Sequence, residues 1–231
     1  MNKTSRFLLP VALCALVAPA GAHAAEPGFY VGGFYGKTDK EESDAALNNI
    51  ALSFYNDDSL QFQLLTRQSR FDREDTTWGF LAGYQLFNNL AFEGGYLSLS
   101  KDVLRETATG VYVAQNSPES WTTSFGVRSS GFAISALGTL PLSYDWELFA
   151  RGGVYLATNS LSYYVVNQSG FGGADETNKS SADLLAGVGI SMRLAEVYQL
   201  RAEVMRVFDA GADDYGESDV DMLTIGVTVR F

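Results

Sequence analysis

The residue types that carry acid–base, nucleophilic or metal chemistry are unevenly spread along this chain. Its single cysteine, Cys14, and its single histidine, His23, both fall within residues 1–24. Beyond them there is no imidazole to act as a near-neutral base and no thiol to attack a substrate, form a disulfide or hold zinc or haem. Carboxylates and guanidinium groups remain. Asp209, Asp213, Asp214, Glu217, Asp219 and Asp221 cluster around Gly211 and Gly216. Clustered carboxylates can hold calcium where tight turns converge them, so Asp213, Asp214 and Glu217 are candidate metal ligands. Their spacing matches no EF-hand loop, and a solvated acidic rim is the plainer reading. Neighbours such as Asp213 and Asp214 also do not aim at one substrate. Four other charges, Glu93, Arg151, Arg201 and Glu203, lie inside otherwise apolar, alternating segments. There an unpaired charge is costly, which favours pairing among them.

The segment containing Cys14 and His23 has the form of an export signal. Lys3 and Arg6 precede an apolar run from Phe7 to Ala20, and Ala22-His23-Ala24 supplies a small-x-small cleavage site. The run is short and broken by Pro10 and Pro19, too little for a membrane helix, and Leu13 before Cys14 does not fit a lipoprotein site. Residues 1–24 are therefore expected to be removed, leaving residues 25–231 as one domain without cysteine or histidine. Of 16 Lys and Arg residues, Lys3 and Arg6 would be lost, leaving 14 against 27 acidic residues, a net of −13. That balance opposes binding to nucleic acid.

The elements that would hold Glu93, Arg151, Arg201 and Glu203 show a period of two. Leu223, Ile225, Val227, Val229 and Phe231 share one face, opposite Thr224, Gly226, Thr228 and Arg230. About ten such residues suit a tilted strand crossing a bilayer, apolar side outward. Phe29, Val31 and Tyr35 alternate with Gly32, Phe34 and Gly36. Trp78, Phe80, Ala82, Tyr84 and Leu86 alternate with Gly79, Gly83 and Gln85. Phe92, Gly94 and Tyr96 oppose Glu93 and Gly95, and Phe132, Ile134, Ala136 and Leu140 oppose Ser135 and Thr139. Trp146 to Leu156 places Glu147, Arg151 and Gly153 on the polar face. Leu184 to Met192 does the same for Gly187, Gly189, Ser191 and Arg193, and Tyr198 to Phe208 for Gln199, Arg201 and Glu203. These make eight segments, an even number that lets an antiparallel sheet close with no edge left in lipid. Leu97, Leu99 and Leu137 fall on the inner face, where a narrow barrel is filled by side chains.

Connections alternate in length. Asn88-Asn89, Pro141 to Asp145 and Leu194 to Val197 are tight; Thr38 to Thr76, Lys101 to Trp121, Ser160 to Lys179 and Asp209 to Ser218 are long and polar. Such sorting by parity fits short periplasmic turns and long outer loops. Within the first long connection, Leu47, Ile50, Ala51 and Phe54 follow helical spacing after Ser43 and Asp44, readable as a short helix or as a loop packing its own side chains. Gln61 to Arg73 reads either as loop or as an upward extension of the second strand.

Several motifs in order resemble the outer membrane protein A barrel family. They are Gly79-Phe80-Leu81-Ala82-Gly83-Tyr84-Gln85-Leu86 with Ala91-Phe92-Glu93-Gly94-Gly95-Tyr96, Leu140-Pro141-Leu142, Phe149-Ala150-Arg151-Gly152-Gly153, Arg201-Ala202-Glu203, and Gly226-Val227-Thr228-Val229-Arg230-Phe231. The resemblance implies an all-β fold, an eight-stranded antiparallel up-and-down transmembrane β-barrel in the outer membrane of a Gram-negative bacterium. It implies as partners the surrounding lipids and lipopolysaccharide, periplasmic chaperones and barrel-assembly machinery, which would read Val227, Val229 and Phe231. A surface ligand or host partner is a further expectation. The family's peptidoglycan-binding domain has no counterpart after Phe231, so cell-wall tethering is not expected. In the family, inward Glu, Arg, Lys and a second Glu form an interior plug. Glu93 and Arg201 match two of these, while Leu137 and Ser191 stand at the other two and Phe34 at a further inward lysine. A static Glu93–Arg201 plug with Arg151 and Glu203 as neighbours is therefore expected.

The expected role is structural, in envelope integrity or surface interaction, with no cofactor. A narrow gated pore or a route for small, hydrophobic solutes is the alternative. Eight strands leave an interior only wide enough for side chains, which disfavours a constitutive aqueous channel. Catalysis is not expected, because the barrel enzymes available for comparison resemble one another in relying on histidine.

Overall fold

A computed structural model describes residues 27–40, 62–73, 76–112, 118–170, 172–212 and 216–231. The helical spacing around Leu47 and Phe54, as well as Asp213 and Asp214, lies outside the described residues. The described residues form nine strands: β1 (Gly28–Lys40), β2 (Phe62–Arg73), β3 (Thr76–Phe87), β4 (Leu90–Tyr112), β5 (Pro118–Pro141), β6 (Trp146–Asn167), β7 (Gly172–Arg193), β8 (Tyr198–Ala212) and β9 (Gly216–Arg230). From β3 to β9 successive strands pair antiparallel, β1 pairs with both β3 and β9, β2 pairs only with β4, and the β4–β5 pairing completes a ring of eight.

The period-two pattern makes the two faces of this ring chemically different. Phe29, Tyr35, Phe80, Phe132, Ile134, Leu184, Leu223 and Ile225 all project outward and are exposed. In water that would be a large apolar patch; in lipid it is the solvated face, a band roughly 25 Å tall. Aromatic rings border it. Phe29 and Tyr84 meet near the short turns, and Tyr96 contacts Trp78, Phe80 and Phe132 toward the opposite edge. The Asn88-Asn89 turn is tied by Gln85 Nε2, which donates to the Phe87 carbonyl at 2.5 Å, and by Thr139, whose N–H donates to the Asn89 carbonyl at 3.0 Å.

Four strands far outrun the membrane. β4 to β7 are 22 to 24 residues long, whereas about ten residues cross a bilayer. The Lys101–Trp121 and Ser160–Lys179 connections are thus largely strand in their described parts. Outside lipid the backbone ladder still satisfies its own polar groups, and Thr, Val and Tyr suit it. Residues 62–73 are also strand. β2 pairs with upper β4, from Phe62 opposite Tyr112 to Arg73 opposite Asp102, while β3 pairs with lower β4 from Trp78 opposite Ser98. A register shift between Ser98 and Lys101 switches which residues of β4 face inward: Leu97 and Leu99 below, Leu104 and Glu106 above.

At the top of β8 a second shift lies between Val207 and Ala210, where Asp209 (φ 51°) and Gly211 (φ 142°) adopt left-handed backbone. This turn carries Gly211 to β6, where its carbonyl accepts from Asn159 Nδ2 at 2.8 Å. Two apolar clusters fill the interior. The one nearer the short turns comprises Tyr30, Leu81, Ala91, Leu137 and Phe149; the other includes Leu97, Tyr155, Leu185, Met205 and Met222, with Phe34 packed against both.

Candidate functional site

Inward rings of β1 and β6 find their space in glycines on neighbouring strands. Tyr30 lies opposite Gly83 and Phe149 opposite Gly189. A Cβ on Gly83 would sit 2.3 Å from the Tyr30 ring, and one on Gly189 2.4 Å from the Phe149 ring, so each ring lies against bare backbone. Both rings thereby flank the guanidinium of Arg201, whose Cζ is 5.1 Å and 5.5 Å from their centroids. Such faces favour a desolvated cation.

The four charges singled out from sequence lie together there. Glu93 Oε1 accepts from Arg201 Nη1 at 2.5 Å and from the Tyr30 hydroxyl at 2.6 Å. Arg151 bridges the two carboxylates, with Nη2 2.7 Å from Glu93 Oε2 and Nε 2.7 Å from Glu203 Oε1. The latter approach is an ion pair rather than an aligned hydrogen bond, because those two atoms have no hydrogen-bond partner of good geometry. Arg151 Nη1 also donates weakly to Ser135 Oγ at 3.4 Å. Two arginines against two glutamates balance in charge, and the Glu93 side chain is 1% exposed. A cavity of about 20 Å³ lies beside Glu93, Ser135 and Arg151 under Phe34, Leu185 and Met205. That is space for one water.

Leu137 and Ser191, the positions compared with an inward lysine and glutamate, stand apart from this group. Leu137 belongs to the lower apolar cluster, and Ser191 donates to Glu147 at 3.4 Å nearer the short turns. Further out, Asn159 Nδ2 and Asp183 share Ser181 Oγ at 3.0 Å each, and Arg67 pairs with buried Glu106. Glu217 falls at the start of β9. Among the described residues no group of three or more His, Cys, Asp or Glu comes together as a metal site. Val227 and Phe231 face outward; the Phe231 N–H donates to the Phe29 carbonyl at 2.9 Å, prolonging the β1–β9 ladder, and its side chain is 79% exposed. Val229, on the same face, is half-buried. Tyr30 and Phe149 were not singled out from sequence. Their signal was inward parity together with inward glycines on the adjoining strands.

A closed antiparallel ring with a lipid-compatible exterior bordered by aromatic residues and with charges held inside defines an outer-membrane β-barrel. The chain matches the model of the OmpA-like transmembrane domain over residues 24–231 and belongs to that family. It resides in the outer membrane of a Gram-negative bacterium, among lipids and lipopolysaccharide. Several solved structures are similar. Ail, the attachment invasion locus protein of Yersinia pestis, crystallised with the heparin analogue sucrose octasulfate, is 13% identical over 90% of this chain and 100% of its own, with a TM-score of 0.45. Neisserial surface protein A is 15% identical over 88% and 97%, with a TM-score of 0.46. OprG from Pseudomonas aeruginosa is 11% identical over 91% and 98%, with a TM-score of 0.45. A comparison with curated protein sequences gives no match.

Proposed function

We propose that this protein is a non-catalytic barrel with a sealed interior, serving envelope integrity and contacts made by its tall outer wall. The observation that carries the reading is the layering of the interior. The Glu93–Arg151–Arg201–Glu203 group is bounded by two apolar clusters, and the cavity beside it is only about 20 Å³. A hydrated ion has no continuous polar path through such layers. Leu97, Tyr155, Val207 and Met222, each at most 2% exposed, belong to the larger of the two. The interior carboxylates Glu93 and Glu203 are also engaged by arginine, which leaves neither poised as a general base. On this reading Val227, Val229 and Phe231 are the surface offered to chaperones and barrel-assembly machinery, and surface partners meet the strands beyond the lipid band. Planar-bilayer recording tests the seal. Wild-type protein and the Glu93→Ala/Arg201→Ala double variant should both lack discrete conductance, because apolar layers rather than ion pairs close the path. Regular open–shut events in wild-type protein would establish a gated pore instead.

A further inference from the structure

The charges in the lower interior do not all find partners. On the inner face of its periplasmic half, Arg151, Arg193, Arg201 and Arg230 stand against Glu93, Glu147 and Glu203. Glu93 and Glu203 are engaged by Arg151 and Arg201. Glu147 has Arg193 Nη2 at 3.6 Å, and its Oε2 accepts from Gln199 Nε2 at 3.0 Å and Ser191 Oγ at 3.4 Å. Arg230 lies in the field of Glu147 but forms no ion pair with it, and so is the surplus cation by count. Its backbone N–H donates to the Val197 carbonyl at 2.9 Å, which anchors the end of β9. Its guanidinium has no ion pair or side-chain hydrogen bond among the described residues.

A small cavity opens beside that guanidinium. Arg193, Arg230, Thr228, Tyr198 and the carboxylate-bearing Glu196 are among the residues that line it. Glu196 is exposed and forms no ion pair with either arginine. The space, about 20 Å³, admits a single oxygen but no whole oxyanion. Tyr198 also faces outward and is half exposed, so the cavity reaches the level where membrane headgroups lie. An anion seated there would keep its remaining atoms outside, as a phosphate diester on a lipid does.

We propose that Arg193 and Arg230 form an oxyanion site at the periplasmic mouth, taking a phosphate oxygen either from an inner-leaflet phospholipid headgroup or from free phosphate. Both arginines line the one cavity, Arg193 with Glu147 at 3.6 Å and the Tyr144 ring 6.0 Å from its Cζ, and guanidinium groups so placed supply charge-assisted hydrogen bonds to a phosphate of the kind arginine makes best. The site lies below the Glu93 group and is independent of whether the interior conducts.

The test uses the full barrel, refolded in a phosphate-free, non-ionic detergent, with the Arg230 side-chain Nε–Hε signal followed by NMR and assigned by its loss in Arg230→Gln. Inorganic phosphate should shift that signal saturably, and Arg193→Gln should weaken the affinity about tenfold or more. In phosphatidylethanolamine nanodiscs without added phosphate, a signal already at the bound position would identify the lipid headgroup as the source. A free signal that still titrates would identify soluble phosphate. Should Arg230→Gln fail to refold, Arg230→Lys supplies the assignment and Arg193→Gln still supplies the affinity comparison. No saturable shift with either probe, or a titration unchanged by Arg193→Gln, would overturn the site.

Discussion

Glu93 is served by Arg201, Arg151 and the Tyr30 hydroxyl, whereas Glu203 has only Arg151 within ion-pair distance. This asymmetry sets the order of mutational costs. Glu93→Ala would leave the Arg201 charge buried with no carboxylate in ion-pair contact, only the Tyr30 side chain and the Phe149 ring beside it, a loss of about 3–5 kcal/mol for a broken buried pair. Arg201→Ala should cost less, since Arg151 and Tyr30 still meet Glu93, and Glu203→Ala less than Glu93→Ala, since Arg151 keeps Glu93. The Glu93→Ala/Arg201→Ala double variant should fall short of the summed single losses by about 1–3 kcal/mol. Urea unfolding in lipid vesicles measures all four, and strictly additive losses would remove the coupling. At this scale the sequence is informative about direction: a period of two puts Glu93, Arg151, Arg201 and Glu203 on the inner face whatever else they do. It does not disclose the Tyr30–Glu93 bond, which spans 63 positions and depends on a ring leaning over Gly83.

Strands behave differently inside and outside the lipid. Where lipid covers one face, that face is consistently apolar and the eight crossing segments are legible. Above the band that constraint lapses: both faces of β7 become polar, β6 runs through Tyr163, Tyr164, Val165 and Val166 without alternation, and the shift between Ser98 and Lys101 reverses the parity of β4. The upper strands therefore resemble loops in sequence. Two predictions belong to single elements. In β3, Gly83→Val would force a side chain into the Tyr30 ring, whose atoms already lie 2.3 Å from an added Cβ. Expelling the ring breaks its bond to Glu93, and overpacking of this kind costs about 1–3 kcal/mol. Gly94→Ala, whose Cβ would have only one atom within reach at 4.0 Å, should unfold as wild type does. Equal unfolding midpoints for Gly83→Val and wild type would contradict the ring placement. In β9, Phe231→Asp sits at the interface, where a charge on the lipid face costs only about 0–1 kcal/mol. Refolding into vesicles should be nearly unaffected, while folded protein in the outer membrane of cells should drop several-fold. Wild-type cellular levels would show that Phe231 is no assembly signal.

At the scale of the whole molecule, the described residues form a closed barrel below and a partly open sheet above. The point of change is the shift at the top of β8. From Arg193 to Leu185, β7 pairs with β6 on one side and β8 on the other. Beyond Leu185 it keeps β6 as far as Gly172, yet has no β8 partner among the described residues, because the left-handed turn at Asp209 and Gly211 draws β8 inward toward Asn159. The freed edge, Gly172 to Asp183, carries Asp175, Glu176, Lys179 and Asp183 and no large apolar side chain. Such edges resist pairing with another chain. Amide exchange should report the division directly. In a strand successive N–H groups point to alternate neighbours, so in the lower part of β7 every amide lies in a ladder and should exchange only on global opening. In the upper part every second amide, those facing away from β6, should exchange orders of magnitude faster while its neighbours stay protected. Site-resolved hydrogen exchange in micelles would show this alternation beginning near Leu185. Uniform protection from Gly172 to Arg193 would mean that the β7 edge is covered and that the ring stays closed along its full height.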